Sequence, residues 1–413
     1  MRLGDIIARF IAADLHSDLF FEEFTFARTQ FTPAGASEIE LADAVVLLGD
    51  TLLIFQIKER APDKVGDAEG ERKWFASKVL KHAIKQIKDT LRFLQSHAKI
   101  DVPNERGRMF NLAAQEYPEI VKIVLYASPP ALPKDCRLTK HYVSSEAGFI
   151  HVVDAEAYAQ YAQLLRVPEE IVRYFRYREA VLTRFPDECA ACTEADLVGS
   201  FIGRHEDAPP VVGAAEMLPR LVRDENDWNL TPLLRGLHDH ISVPGVSDDY
   251  YGILREFARL PRSMWKEAML RIRLCVEFAQ KGEFARPYRF SDPASDCGFV
   301  FVPVMPEVSM GADWQEIRTS AVQNFTLAHK YDQRLRRCVG VMVAWDEPHF
   351  DIQWCLADFP WAEDWELAAR LRASFPFRPV SEELRFSFFL HNGDCAPDGL
   401  SDTGPDDPDG EPA

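Results

Sequence analysis

A chain of 413 residues, 47% hydrophobic and 27% charged, is long enough for two or three domains, and its composition is that of an ordinary globular protein. No apolar run approaches the ~18–20 residues that span a bilayer, and the first residues lack a secretory leader, so a cytoplasmic protein without membrane contact is expected. The formal net charge of −18 excludes a surface coated in positive charge, so any contact with nucleic acid must be a local patch.

In chain order, residues 1–30 read as helix-rich and include the segment Asp18–Phe24. The stretch Glu38–Lys58 follows, and it is the part of the chain most suited to chemistry. Two β-rich runs flank Gly49-Asp50, a strong two-residue turn signal, so a β-hairpin is expected. With Gly49 and Asp50 in the turn, residue 48 opposes 51, 46 opposes 53, and 43 opposes 56. Asp43 then faces Gln56, with β-carbons within about 5.5 Å. Side chains alternate with period two, so Gln56 and Lys58 project together beside Asp43. A carboxylate, a carboxamide and an ammonium thus converge at one end of an otherwise apolar hairpin.

A divalent metal ion gives such a cluster a purpose. Mg²⁺ takes one or two carboxylates, a few neutral oxygens and several retained waters. Asp43 supplies the charged oxygen, Gln56 or a backbone carbonyl the neutral one, and Lys58 can orient a water or neutralise a phosphate. Asp43 followed by Gln56-Ile57-Lys58 across a hairpin resembles the active site of the PD-(D/E)xK nuclease superfamily, the restriction-endonuclease-like fold. Gln56 stands where that pattern usually has an acid, and Ala42 where it has Pro. The resemblance covers roughly residues 15–130. It implies a mixed sheet flanked by helices, Mg²⁺ or Mn²⁺ as cofactor, and hydrolysis of phosphodiester bonds in nucleic acid, DNA rather than RNA. A role in bacterial defence against foreign DNA is implied as well. It further implies a Glu from the first helix at the metal, for which Glu22 or Glu23 qualifies. Glu38 and Glu40 compete for that place, although alternation turns Glu40 off the Asp43 face unless the strand bulges.

A polar loop is expected over 61–71, then a long helix from Arg72 to about residue 96. Lys78, Lys81, Lys85, Lys88 and Arg92 recur at helical spacing as one stripe, beside an apolar stripe of Leu80, Ile84, Ile87, Leu91 and Leu94. Seven Lys or Arg between positions 72 and 92 face one acid, Asp89. Such a stripe repels itself unless phosphates relieve it, so a sequence-independent nucleic-acid contact is expected here. The resemblance places Lys78, Lys81 and Gln86 nearest the active site.

Val121–Tyr126 and Gly148–Val153 read as further strands, and a helix is expected over 154–165. His151 reads as a histidine at the edge of the core. Cys189 and Cys192 make the only CxxC among eight scattered cysteines, without the two further ligands a zinc site needs. From 216 to about 282 the periodicity is helical. Strands Cys297–Val304, Cys338–Trp345 and Phe350–Cys355 then alternate with a helix over Trp314–Tyr331. On that helix Gln323, Thr326, His329 and Lys330 form a polar cluster, suited to a nucleotide or to ordinary buried hydrogen bonds. Residues 394–413 carry seven acids and no Lys or Arg, which predicts a disordered acidic tail. The expected organisation is an α/β nuclease-like domain over 1–175 and a helical connector over 176–215. A C-terminal α+β domain for sensing or oligomerisation over 216–393 and the tail complete it. Duplex cutting needs two active sites, so a homodimer or a protein partner is expected. A catalytically silent nuclease-like module, or an effector nuclease held inactive by a partner, fits the same residues.

Overall fold

The computed structural model describes residues 6–32, 37–114, 117–203, 207–222, 225–240, 250–311 and 313–377. The acidic tail lies outside them. Two mixed sheets organise the protein. The first runs in the order β1 (Thr25–Phe26), β2 (Ala44–Leu48), β3 (Thr51–Lys58), β4 (Glu119–Tyr126), β6 (Gly148–Asp154), β5 (His141–Ser144). Strands β3, β4 and β6 are parallel to one another, and the remaining pairs are antiparallel. The hairpin has its expected register, with Leu48 opposite Thr51, Val46 opposite Leu53 and Ala44 opposite Phe55. Gly49 takes a φ of +61°, which the first position of this tight turn requires, and a Cβ there would collide with the Arg259 guanidinium.

Helix α1 carries the chain from β3 to β4 as three consecutive segments, Ala68–Trp74, Phe75–Ala83 and Ile84–Ser96. It begins four residues earlier than the polarity of 61–71 suggests. Asp67 caps it by accepting the Gly70 N–H at 2.8 Å. The middle segment is wound in wide i→i+5 turns. Val79 and Ala83 are buried with Ile84 and Ile87, while Leu80, Leu91 and Leu94 lie at the rim. This apolar face covers Val45, Leu47, Leu52 and Ile54 on one side of the sheet.

The opposite side of that sheet presents Ala44, Val46, Leu53, Phe55 and Ile57 to a helical middle layer. The layer holds α2 (Ala155–Leu165), α3 (Pro168–Arg184), α4 (Tyr250–Ala258) and α5 (Arg262–Lys281). Its far side meets Phe299, Phe301, Val339, Val341 and Val343 of the second sheet, and one continuous core runs through all of these. The second sheet has the order β7 (Tyr288–Asp292), β8 (Cys297–Val304), β9 (Arg337–Asp346), β10 (His349–Asp358). Its outer face is covered by α6 (Trp314–Asp332). The layering is thus helix, sheet, helices, sheet, helix. A boundary at residue 175 would cut α3 in mid-helix, and the shared core crosses it. Among the described residues no helix is long and apolar enough to cross a membrane.

Candidate active site

The hairpin ladder ends at Ala44 and Phe55, and Asp43 sits at the break. Segment 41–43 is held from both sides. The Thr90 hydroxyl of α1 donates to the Leu41 carbonyl, and the Thr29 hydroxyl donates to that of Ala42. Leu41 N–H returns to Thr29 O at 3.0 Å, and Asp43 N–H to Phe55 O at 3.2 Å. With the backbone fixed this way, Asp43 Oδ2 accepts the Ile57 N–H at 2.5 Å, two residues beyond the last ladder pair. A side-chain oxygen thus continues the hydrogen bonding where the strand stops.

Lys58 Nζ reaches the same Oδ2 at 3.0 Å, Gln56 Oε1 at 3.4 Å and Ile57 O at 3.1 Å. The expected trio is therefore assembled. Ile54 and Leu52 belong to the face covered by α1, so alternation puts Gln56 and Lys58 under that helix as well. Gln56 is 1% exposed, whereas the side chains of Lys58 and Asp43 are 13% and 23% exposed. The buried carboxamide is thus anchored and the two charges meet solvent at the sheet's end. Asp43 Oδ1 accepts no hydrogen bond among the described residues and stays available to a ligand.

Glu40 joins this neighbourhood. Its short strand, Ile39–Glu40, pairs with Gln30–Phe31 and not with the hairpin. The break between Glu40 and Ala44 is the irregularity that strict alternation would have excluded. Partial desolvation, and then the charge of Asp43, hold the Glu40 carboxyl above its ordinary range, while Lys58 and a hydrogen bond from Gln30 act the other way. That hydrogen bond, from Gln30 Nε2 to Oε1, is 3.1 Å long.

Glu23 is placed elsewhere. Thr25 pairs with Val46, and Leu47 N–H bonds Phe24 O, so Glu23 lies by the turn end of the hairpin. That is roughly 15 Å along the strand from Asp43 at 3.3 Å per residue. Its buried carboxylate accepts from Arg106 Nε at 3.0 Å and from the Tyr250 hydroxyl at 2.8 Å, and Glu22 also pairs with Arg106. Both lie in the turn after the helix His16–Phe20, where Glu23 joins Arg106 to Tyr250 of α4 and Glu22 pairs with Arg106. Sequence places them near Asp43 only if the helix enters the sheet at the other end.

The basic stripe on α1 is exposed at Lys78, Lys81, Lys85 and Arg92, and half-buried at Lys88. Its charge is largely answered within the protein. Lys85 and Arg92 share Asp89 at 2.6 and 2.7 Å, and Lys88 pairs with Glu146 at 2.8 Å. Lys78 and Lys81 carry no ion pair among the described residues. Gln86, one turn before Thr90, has a buried Oε1 without a hydrogen-bond partner. Two residues that sequence reasoning passed over also lie at this end, Arg60 and Glu71. Only their wrong-seeming positions, a cation straight after the strand and an acid inside the helix's apolar face, could have signalled them.

Other candidates resolve into packing. Thr326, His329 and Lys330 are buried, Thr326 Oγ1 donates to Val322 O at 2.7 Å, and Lys330 lies 4.0 Å from the Phe359 ring centre. His151 is buried with Nδ1 3.2 Å from Arg178. Cys189 and Cys192 are buried free thiols, and burial raises the Cys189 thiol to about 11. Hollows of about 530 Å³ beside Tyr331 and Trp361 and about 410 Å³ beside Glu22 and Arg106 lie away from Asp43. Neither hollow is lined by Asp43, Gln56 or Lys58. Comparison with protein-family models, curated proteins and solved structures gives no match for this chain.

Proposed function

We propose that the protein is a metal-dependent phosphodiester hydrolase, a nuclease acting on DNA rather than RNA, centred on Asp43, Gln56 and Lys58. The observation that carries this reading is the convergence of one carboxylate, one buried carboxamide and one ammonium at the end of a hairpin. The restriction-endonuclease-like assignment belongs to the same proposal. A mixed sheet supports it, in which the hairpin leads through a covering helix to a strand parallel to β3.

The donor set fits Mg²⁺ or Mn²⁺ sparsely. Asp43 Oδ1 and Gln56 Oε1 are the oxygens that would hold the ion, which keeps several waters of its own. Among the described residues no group of three or more His, Cys, Asp or Glu is arranged to hold a metal, so Glu40 would have to swing in to add a second carboxylate. When bound, the ion supplies charge stabilisation to the phosphate and acidifies a water. Lys58 orients that water or neutralises charge gathering on the phosphate oxygens. Asp43 holds Lys58 in place until substrate arrives. Lys78 and Lys81 position the backbone without reading bases. A homodimer, or a protein partner, would bring the second centre that duplex cutting requires, and defence against foreign DNA is the setting the resemblance suggests.

A silent nuclease-like binding module is the second reading. It is favoured by Gln56 in place of an acid and by two donors already occupying Asp43 Oδ2. Cleavage of single- and double-stranded DNA and RNA in Mg²⁺ or Mn²⁺, beside Asp43→Ala and Lys58→Ala, separates the two. Under the nuclease reading the parent cuts and each variant loses about 10²–10⁴-fold. Equal cutting by parent and variants would place the chemistry elsewhere. No cutting, together with no calorimetric Mn²⁺ binding, would leave the silent module.

A further inference from the structure

Just beyond Lys58 the chain delivers a second cation to the side of the sheet that α1 covers. Arg60 follows Lys58 by two residues, at most about 7 Å of chain. It turns toward α1, since its Nε lies 3.3 Å from Glu71 Oε1 and its guanidinium carbon 6.0 Å from the Trp74 ring centre. Glu71 is fully buried. Its Oε1 also accepts the Gly66 N–H at 2.6 Å, while Oε2 is buried without a hydrogen-bond partner. A carboxylate so completely removed from water is tolerated only beside a cation, and Arg60 is the cation provided.

The pair is not closed on itself. Arg60 Nε is within ion-pair distance of Glu71 but makes no aligned hydrogen bond. Among the described residues the two terminal amino groups of Arg60 make none either, and its side chain is 23% exposed. Neighbouring cations are differently placed. Arg72 is tied to Asp135 and Lys73 to Glu69, both on the open surface. Of these three, Arg60 is the one paired with a buried acid and placed over an indole. A planar fork held in that way suits two oxygens of a phosphate.

We propose that Arg60 binds the phosphate adjoining the one held at Asp43 and Lys58, with Glu71 as the residue that positions it. The substrate would then be a chain with at least two consecutive phosphodiesters. This rests on the nuclease reading above. The alternative is a staple that merely closes the 59–67 loop.

The test is binding of fluorescein-labelled DNA, single-stranded and duplex, by anisotropy in Ca²⁺ over a range of salt, with cleavage in Mg²⁺ measured alongside. Arg60→Ala, Arg60→Lys and Glu71→Gln are compared with the parent, each checked for its unfolding midpoint. Arg60→Ala is expected to weaken binding about tenfold and to lower the slope of log K against log salt by about 0.7–0.9, one phosphate contact. Arg60→Lys should keep the slope and lose part of the affinity. Glu71→Gln should weaken binding with the slope intact, an effect no simple staple produces. A folded Arg60→Ala with the parent's affinity and slope overturns the proposal. If that result comes while Lys58→Ala abolishes cutting, the nuclease reading stands and only the Arg60 assignment falls. A parent that neither binds nor cuts any nucleic acid removes both. Should Glu71→Gln not fold, the two Arg60 variants still decide.

Discussion

At the scale of single residues, the protein shows how a polar side chain can take over from a strand. Asp43 does at the end of β2 what a ladder carbonyl would otherwise do, and in doing so fixes Ile57 and Lys58 together. The same economy of buried polar groups appears in two buried histidines outside the Asp43, Gln56 and Lys58 trio. His16 is fully buried, with Nε2 2.9 Å from the Tyr158 hydroxyl, and burial lowers its pKa to about 3. His329, with Nε2 3.1 Å from Phe290 O, is lowered to about 4, again first by burial. The sign of the linkage follows. The unfolded chain takes up these protons near the ordinary value of 6.5 and the folded one refuses them, so stability is full above that pH. It is lost as pH falls toward 4 and then 3, by roughly 1.4 kcal/mol per unit of separation for each group at most. Urea unfolding midpoints measured across this window should fall steadily, and His16→Phe should flatten the slope by about one proton. An unchanged slope would mean that His16 is not neutral in the folded protein.

At the scale of elements, buried ion pairs join helices that sequence periodicity leaves independent. Arg262, at the start of α5, lies 1% exposed and donates to Leu221 O at 3.0 Å, Leu165 O at 2.6 Å and Glu170 Oε2 at 3.0 Å. Glu170 is fully buried and also accepts the Arg262 N–H at 3.0 Å. Desolvation still holds this carboxyl above its ordinary value, despite the guanidinium beside it. Removing Arg262 alone would strand the acid, and Arg262→Met is expected to cost about 3–5 kcal/mol. The double change Arg262→Met, Glu170→Leu should recover much of that loss. Chemical denaturation of the three proteins measures it, and additive losses would show the pair to be uncoupled. Close packing limits the second sheet in another way, for a Cβ at Gly340 would run into the Thr326 hydroxyl of α6.

At the scale of the whole molecule, the decisive feature is the core between the two sheets. Phe55 and Ile57 on β3, Tyr158 and Phe175 in the middle helices, and Phe299 and Val341 on the second sheet belong to one continuous apolar cluster. Truncation at residue 175 would cut α3 in mid-helix and open this shared core. Burial of such side chains contributes roughly 1.5–3 kcal/mol each, so a 1–175 fragment is expected to aggregate or remain partly unfolded. The full chain should unfold in one calorimetric transition through the two sheets. A soluble, cooperatively folding 1–175 fragment, by intrinsic fluorescence and calorimetry, would contradict this. The candidate site lies on the other face, under α1, where the packing is local to the first sheet.

Local chemistry was legible in the residues themselves. The turn at Gly49, the register of the hairpin and the meeting of Asp43, Gln56 and Lys58 follow from period two and turn geometry, which depend on neighbours a few positions apart. The α1 stripe was legible for the same reason. What the sequence could not decide were matters of long-range placement. Glu23 reads as a metal ligand until strand pairing puts it at the far end of the hairpin. Glu40 reads as facing away until the strand breaks before Asp43. Lys85, Lys88 and Arg92 read as waiting for phosphate until Asp89 and Glu146 are found beside them. Strands Tyr288–Asp292 and His141–Ser144 are too short and polar to announce themselves without partners. In each case the outcome depends on residues distant in the chain, whose approach is fixed only when the common core is buried.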